Sequence, residues 1–235
     1  MMGKIYVIGR RICGERGFGG QPVLTYSIEY PQFAVYVGGR GIRDINAFYR
    51  RQASQLVKHI REDFYMEAVR DFLLRAKEGI PFMPHGYIRS FAATHDGNGI
   101  ISLYLDDSHF TGGAYAVTVR SSATWDAAKG RRKQLLELFP PGVDFRATLI
   151  ERILEQIAMR TEEFPGSGAY DYPDLVERYF CEEQFYVTPD TLVLYFQEDQ
   201  LGSHAIGIPV FEIPLREVGI RVRMQERSPV CRVLP

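Results

Sequence analysis

Ser102–Asp126 reads SLYLDDSHFTGGAYAVTVRSSATWD, and it decides the fold. Two strand-like runs, Gly99–Asp106 and Ala114–Asp126, meet there around Thr111-Gly112-Gly113. A third run, Tyr87–Thr94, precedes them across His95-Asp96-Gly97-Asn98, whose composition is that of a hairpin turn. Further upstream, Val23–Tyr30 alternates, with Leu24, Tyr26, Ile28 and Tyr30 on one side and Thr25, Ser27 and Glu29 on the other. That is the period of a half-buried strand. Between this strand and the meander stands one long helical segment, Asp44–Lys77. Asp44 is the expected N-cap, and Gly79 with Pro81 closes the far end. Its apolar stripe is Ile45, Tyr49, Ala53, Leu56, Ile60, Phe64, Ala68, Phe72 and Ala76. The steps are mostly four residues, so the stripe drifts round the cylinder. The helix must bend around a core or break near Tyr65–Met66. Lys58–Glu62 and Asp71–Arg75 are expected as ion pairs on its wet face.

The second half repeats this order loosely. Asp126–Gly130 is a turn, and Leu135–Phe139 is a short apolar segment stopped by Pro140-Pro141. Asp144–Glu163 is an amphipathic helix with Leu149, Ile150, Ile153, Leu154, Ile157 and Ala158 on one face. A short helix runs from Pro173 to Tyr179. Gln184–Val187 and Leu192–Phe196 make a hairpin around Thr188-Pro189-Asp190. Pro209–Pro214 is a last strand whose prolines mark an edge. The fold class is therefore α+β: antiparallel sheets with one long and one medium helix packed on them. The halves are two intimately associated β-α-β-meander units, 23–120 and 121–216. A glycine- and arginine-rich flexible arm, 1–22, precedes them, and a tail, 217–235, follows.

The chain has 235 residues, 46% hydrophobic and 24% charged, which suffices for a core without disulfide staples. A net charge of −1 supplies no long-range field toward nucleic acid, so no nucleic-acid partner is expected. Cys13, Cys181 and Cys231 are widely spaced and form no zinc pattern. They read as reduced thiols. No apolar run approaches the roughly 20 residues of a membrane span. The start resembles no signal peptide, so a cytoplasmic location is expected.

Reaction chemistry is hard to find. The five histidines, His59, His85, His95, His109 and His204, form no H-E-x-x-H spacing. Asp106, Asp107 and His109 are the best local metal-ligand set. Yet Asp106 and Asp107 are neighbours on a strand and point to opposite faces. No metal and no cofactor is expected. Gly202-Ser203-His204 sets a hydroxyl beside an imidazole, but adjacent side chains of an extended segment diverge. The aromatics Tyr104, Tyr115, Trp125, Tyr186, Tyr195 and Phe196 crowd the strands, mainly as core, with a recognition patch as the alternative for a few.

SLYLDDSHFTGGAYAVTVRSSATWDAAKGRR, then LLELFPPGVDFRATLIERILEQI, then FYVTPDTLVLYFQ and AIGIPVFEIPL, in this order, resemble one family. It is the extracytoplasmic domain of RsiV-type anti-sigma factors, which also precedes the deacetylase domain of PdaC-like proteins. The likeness spans residues 23–216. It implies an α+β fold and a binding role, which in RsiV is that of a lysozyme receptor. The chain departs from that pattern where such domains commonly read Pro-Tyr; here Ser203-His204 stands. The expectation is a non-enzymatic module with a protein partner, and no feature sets the oligomeric state. Its surface would use Gln200, Ser203 and His204 in the Gln197–Gly207 loop, with Asp107, His109 and Tyr115 in the Asp107–Tyr115 turn. Two other readings stay open: a cell-wall glycan or lysozyme binder, and a hydrolase whose acid/His site assembles in space.

Overall fold

In the computed structural model, which describes residues 5–35, 39–113, 115–160, 162–164 and 171–220, the strands form two sheets. A six-stranded sheet runs in simple order through β1 (Ile5–Phe18), β2 (Gln21–Val35), β3 (His85–His95), β4 (Ile100–Phe110), β5 (Val117–Asp126) and β6 (Arg131–Arg132). A three-stranded sheet holds β7 (Phe185–Val187), β8 (Thr191–Tyr195) and β9 (Val210–Pro214). The architecture is α+β, as the alternation and the helical stripe indicate. One pairing departs from the antiparallel expectation: β2 and β3 are parallel. The long helix between them carries the chain back to the end from which β2 started, and a parallel pair requires such a crossover. The break between sheets falls after Arg132, so β5 belongs wholly to the first sheet, across the 120/121 boundary drawn from the sequence.

Residues 5–18 are not a flexible arm. They pair along their whole length with β2, from Ile5 opposite Val35 to Phe18 opposite Gln21. Gly14, which suggested looseness, is required: a Cβ there would collide with the Tyr26 ring that lies across it. Residues 1–4 of the proposed arm, 221–235 of the proposed tail and Cys231 lie outside the described residues. Cys13 and Cys181 are free and exposed.

The helical segment is 39 residues of continuous helix. It consists of α1 (Arg40–His59), a π turn (Ile60–Phe64) and α2 (Tyr65–Glu78). A step of four overshoots one α-helical turn by about 40°. The stripe would soon leave the sheet, and the wider π turn takes up the drift. It sits just before the expected break, and it keeps Ile60 and Phe64 buried. The N-cap is Gly39 rather than Asp44, which instead stands 4.0 Å from Arg40. The added first turn is fixed by packing. A Cβ on Gly41 would stand 2.6 Å from both the Ala128 carbonyl oxygen and the Gly130 amide. At the other end Gly79 adopts φ 68°, the left-handed conformation of a helix stop. Asp71 and Arg75 pair as expected at 2.9 Å but are half-buried, because Asp71 also meets the buried His85 Nε2 at 3.2 Å.

Three cores result. Ile45, Tyr49, Leu103 and Trp125, with Leu24, Ile28, Ala53 and Ile60, fill the space between the long helix and one face of the large sheet. Leu149 and Ile153 of α3 (Phe145–Met159), with Val176 of α4 (Tyr172–Tyr179), cover the small sheet at Leu192 and Phe211. Asp144 and Asp171 cap these helices through Ala147 and Asp174 amides at 3.1 and 3.2 Å. Between the sheets lie Tyr104, Tyr186, Val193 and Tyr195.

Candidate functional site

The Gln197–Gly207 loop joins β8 to β9, and both of its ends are tied down. Leu201 is fully buried in the core of the small sheet, and Ile206 packs against the same core. Within the loop, Gln200 Oε1 accepts the Gln197 amide at 2.8 Å. A short 3-10 turn, His204–Ile206, closes it, with Ile206 N–H donating to the Ser203 carbonyl at 3.0 Å. Asp199 holds φ 66°, a left-handed conformation that aspartate tolerates better than most residues.

The loop is also clamped to the large sheet. The Gln197 side chain bonds both backbone groups of Arg120: its Oε1 accepts the amide at 2.9 Å and its Nε2 donates to the carbonyl at 2.8 Å. Glu198 Oε2 accepts the Thr118 amide at 3.0 Å. These bonds finish the outer edge of β5, a row of backbone groups that would otherwise invite another strand. Gln197→Ala leaves the Arg120 amide and carbonyl without these partners. The expected cost is about 1–3 kcal/mol, measured as a lowered urea midpoint, with concentration-dependent light scattering from the freed edge. An unchanged midpoint and no scattering would show that the edge does not depend on this residue.

On this support sits the exposed pair of the site. Tyr115, 73% exposed, places its ring 5.3 Å from the imidazole of His204. His204 Nδ1 is 3.7 Å from Glu198 Oε2 and 3.8 Å from Asp199 Oδ2. Ser203 is exposed beside it. The result is an aromatic ring, an imidazole, a hydroxyl and two carboxylates on a backbone held from two sides.

The structure brings Tyr115, Ser203 and His204 together and sends Asp107 and His109 elsewhere. Both lie on the helix-facing side of β4, in alternation with the core residues Leu103 and Leu105. Asp107 receives both Nε and Nη2 of Arg89, at 2.7 and 2.5 Å, from the residue directly opposite on β3. Burial and the charge of the Asp107 carboxylate push the Tyr87 phenol up to about 12. His109 stacks on Tyr87 at 6.2 Å and meets Phe64 edge-on. Gln200 serves the loop's own closure. Among the described residues, no three His, Cys, Asp or Glu side chains are grouped to hold a metal ion. Asp106 and Asp107 do point to opposite faces, each toward its own arginine.

Sequence reasoning missed the roles of Gln197, Glu198, Arg120 and Ser122. Behind the site, Arg120 binds both oxygens of Asp106 at 2.7 Å and lies over the Tyr104 ring at 3.9 Å. Tyr195 donates to Ser122 Oγ at 3.1 Å, and Ser122 donates to the Phe185 carbonyl at 2.6 Å. Burial pushes the Tyr195 phenol up to about 12. This polar seam joins the sheets beneath the exposed pair. Polar residues at strand ends carry no sequence sign that they reach across some 77 positions.

Residues 19–118 match a family model described as Deacetylase PdaC, and residues 137–216 match one described as Protein of unknown function (DUF3298). Among curated proteins none matches the chain. A DUF3298-family crystal structure from Bacteroides fragilis NCTC 9343 is similar over 92% of this chain and 93% of its own, with TM-score 0.67 at 14% identity. A second, from Pseudomonas aeruginosa PAO1, is similar over 91% and 93%, with TM-score 0.58 at 13% identity. At such identities the likeness is one of fold. No described helix is long and apolar enough to cross a membrane. The chain is thus similar to a PdaC model in its first half and a DUF3298 model in its second, and it shares the fold of these DUF3298-family structures.

Proposed function

We propose that this chain is a non-enzymatic binding module that grips a protein ligand through Tyr115, Ser203 and His204. The observation that carries the reading is the Tyr115–His204 pair: an exposed aromatic from the β4–β5 connection set against the imidazole of the β8–β9 loop, whose backbone is fixed by Leu201, Gln197 and Glu198. Rigid aromatic anchors are what dominate protein interfaces, because they lose little entropy on binding. The resemblance to the RsiV-type domain supports the same reading, and lysozyme is the first protein to try. Cell-wall glycan remains the second ligand class, since relatives of this domain type accompany a deacetylase.

The test places a photo-crosslinking amino acid at Tyr115 and, as a control, at Arg152 on α3. Chains irradiated with lysozyme, and separately in producing cells, are expected to give discrete protein adducts at 115 and none at 152. His204→Ala is expected to reduce those adducts about tenfold, the loss typical of one interface anchor. Equal adduct patterns at both positions end the protein-ligand reading. Heat of binding from a soluble peptidoglycan fragment, abolished by Tyr115→Ala, would favour the glycan instead.

A further inference from the structure

The two long edges of the large sheet are treated differently. At β5 the chain uses Gln197 and Glu198 to occupy the outward backbone groups. At the opposite edge, β1 runs for 14 residues with β2 on one side only. Among the described residues, no side chain hydrogen-bonds to the backbone of Ile8–Glu15. A long open edge of this kind pairs with another strand unless charges or bulges prevent it. Here Arg10, Arg11, Glu15 and Arg16 are placed symmetrically about Cys13, and the one register shift of the β1–β2 ladder falls at Arg16/Gly17, outside Ile8–Glu15.

We infer that β1 pairs antiparallel with β1 of a second copy of this chain, across a two-fold axis that passes beside Cys13. Such an axis stands perpendicular to the sheet, so every side chain keeps its own face. With Cys13 opposite Cys13, Arg11 of each copy, which also holds Glu29 of its own chain, falls opposite Glu15 of the other. Both lie on the face away from the long helix, as Cys13 does against Ser27. On the other face Ile12 falls opposite Gly14, where no Cβ competes for space. Toward the ends, the exposed Ile8 and Phe18 face each other. Centring the axis on Ile12 or on Gly14 sets no opposite charges across from one another, and centring it on Arg11 or Glu15 sets like charges together. One like pair remains, Arg10 opposite Arg16. Arg16 is turned away from it, over the Tyr65 ring at 3.8 Å and toward the Arg61 carbonyl. The occupant that fits this edge is therefore the chain itself, and the two large sheets become one.

Paired residues in an antiparallel ladder have Cα atoms about 4.5–5.5 Å apart, within the roughly 4.4–6.8 Å a disulfide spans. Crosslinking therefore reads the register. In the Cys181→Ser/Cys231→Ser chain, diamide is expected to convert Cys13 into a disulfide-linked dimer, and Cys13→Ser to remove it. Diamide takes up the two protons and two electrons that the thiols release. Collisional crosslinking is separated by two cysteine-free chains carrying Arg11→Cys and Glu15→Cys. Mixed, they are expected to link at least about tenfold faster than either alone, because only the mixture brings the thiols face to face. Glu15→Arg, which sets arginine against Arg11 twice, is expected to weaken the dimer about tenfold by analytical ultracentrifugation. A monomer at all concentrations, or equal linking rates alone and mixed, overturns the inference.

Discussion

Arg120→Ala is expected to cost about 3–5 kcal/mol of folding stability. Arg120 and Asp106 are 12% and 19% exposed and joined by two 2.7 Å hydrogen bonds. The guanidinium also lies over Tyr104 and within 5.8 Å of the Tyr195 ring centre. Removing it leaves the Asp106 carboxylate between two sheets with no counter-charge. The penalty comes from the stranded charge more than from the lost attraction. Asp106→Asn is expected to cost less, since an amide can be buried more cheaply than a charge. The joint change Arg120→Met with Asp106→Leu is expected to recover most of the loss. Urea unfolding of the parent chain and these three variants measures this. Two single variants each losing under about 1 kcal/mol would show that the pair behaves as a surface ion pair and that the seam does not hold the sheets.

Trp125→Ala is expected to cost a comparable amount, about 3–5 kcal/mol. Trp125 is the only tryptophan of the chain. It meets Phe48 and Tyr49 edge-on, with ring centres 5.2 and 5.9 Å away. Its Nε1–H donates to the Tyr49 hydroxyl at 2.9 Å. Tyr49 is fully buried, and desolvation pushes its phenol up to about 12. This cluster fastens α1 to the end of β5, so the cavity left by alanine opens where the helix begins its contact with the sheet. Trp125→Phe keeps most of the packing but takes the donor from Tyr49, and is expected to cost about 1–3 kcal/mol. Circular dichroism during urea unfolding gives both values. A ratio near one between the two variants would place the stabilisation in the hydrogen bond rather than in the packing.

Much of this scaffold is legible in the sequence because burial imposes a period. The alternation of Leu24, Tyr26 and Ile28 gives β2, and the four-residue stripe from Ile45 to Phe72 gives the long helix. β1 was not legible. Gly9, Gly14 and Gly17 with four nearby charges read as a loose arm, and the reason for Gly14 is a ring from the neighbouring strand. The parallel β2–β3 pair is a fact of chain path, which no local pattern encodes. At the site, adjacency on a strand was enough to part Asp106 from Asp107. It could not supply Arg120 and Arg89, because those partners follow from register. Tyr115 and His204 were each visible as candidates, yet their meeting depends on how the β8–β9 loop reaches β5. Asp107 and His109 drew notice for their chemistry and proved to serve the helix-facing side of the sheet.

The division of labour inside the β8–β9 loop has an evolutionary consequence. Gln197 and Glu198 fasten its first turn to the scaffold, while Ser203 and His204 stand free of that duty a few positions later. Under the proposed binding role, change at the later positions retunes recognition without loosening the frame. Drift at the earlier ones unfastens the frame first. Relatives that differ in ligand should diverge at the tip of this loop and agree at its root.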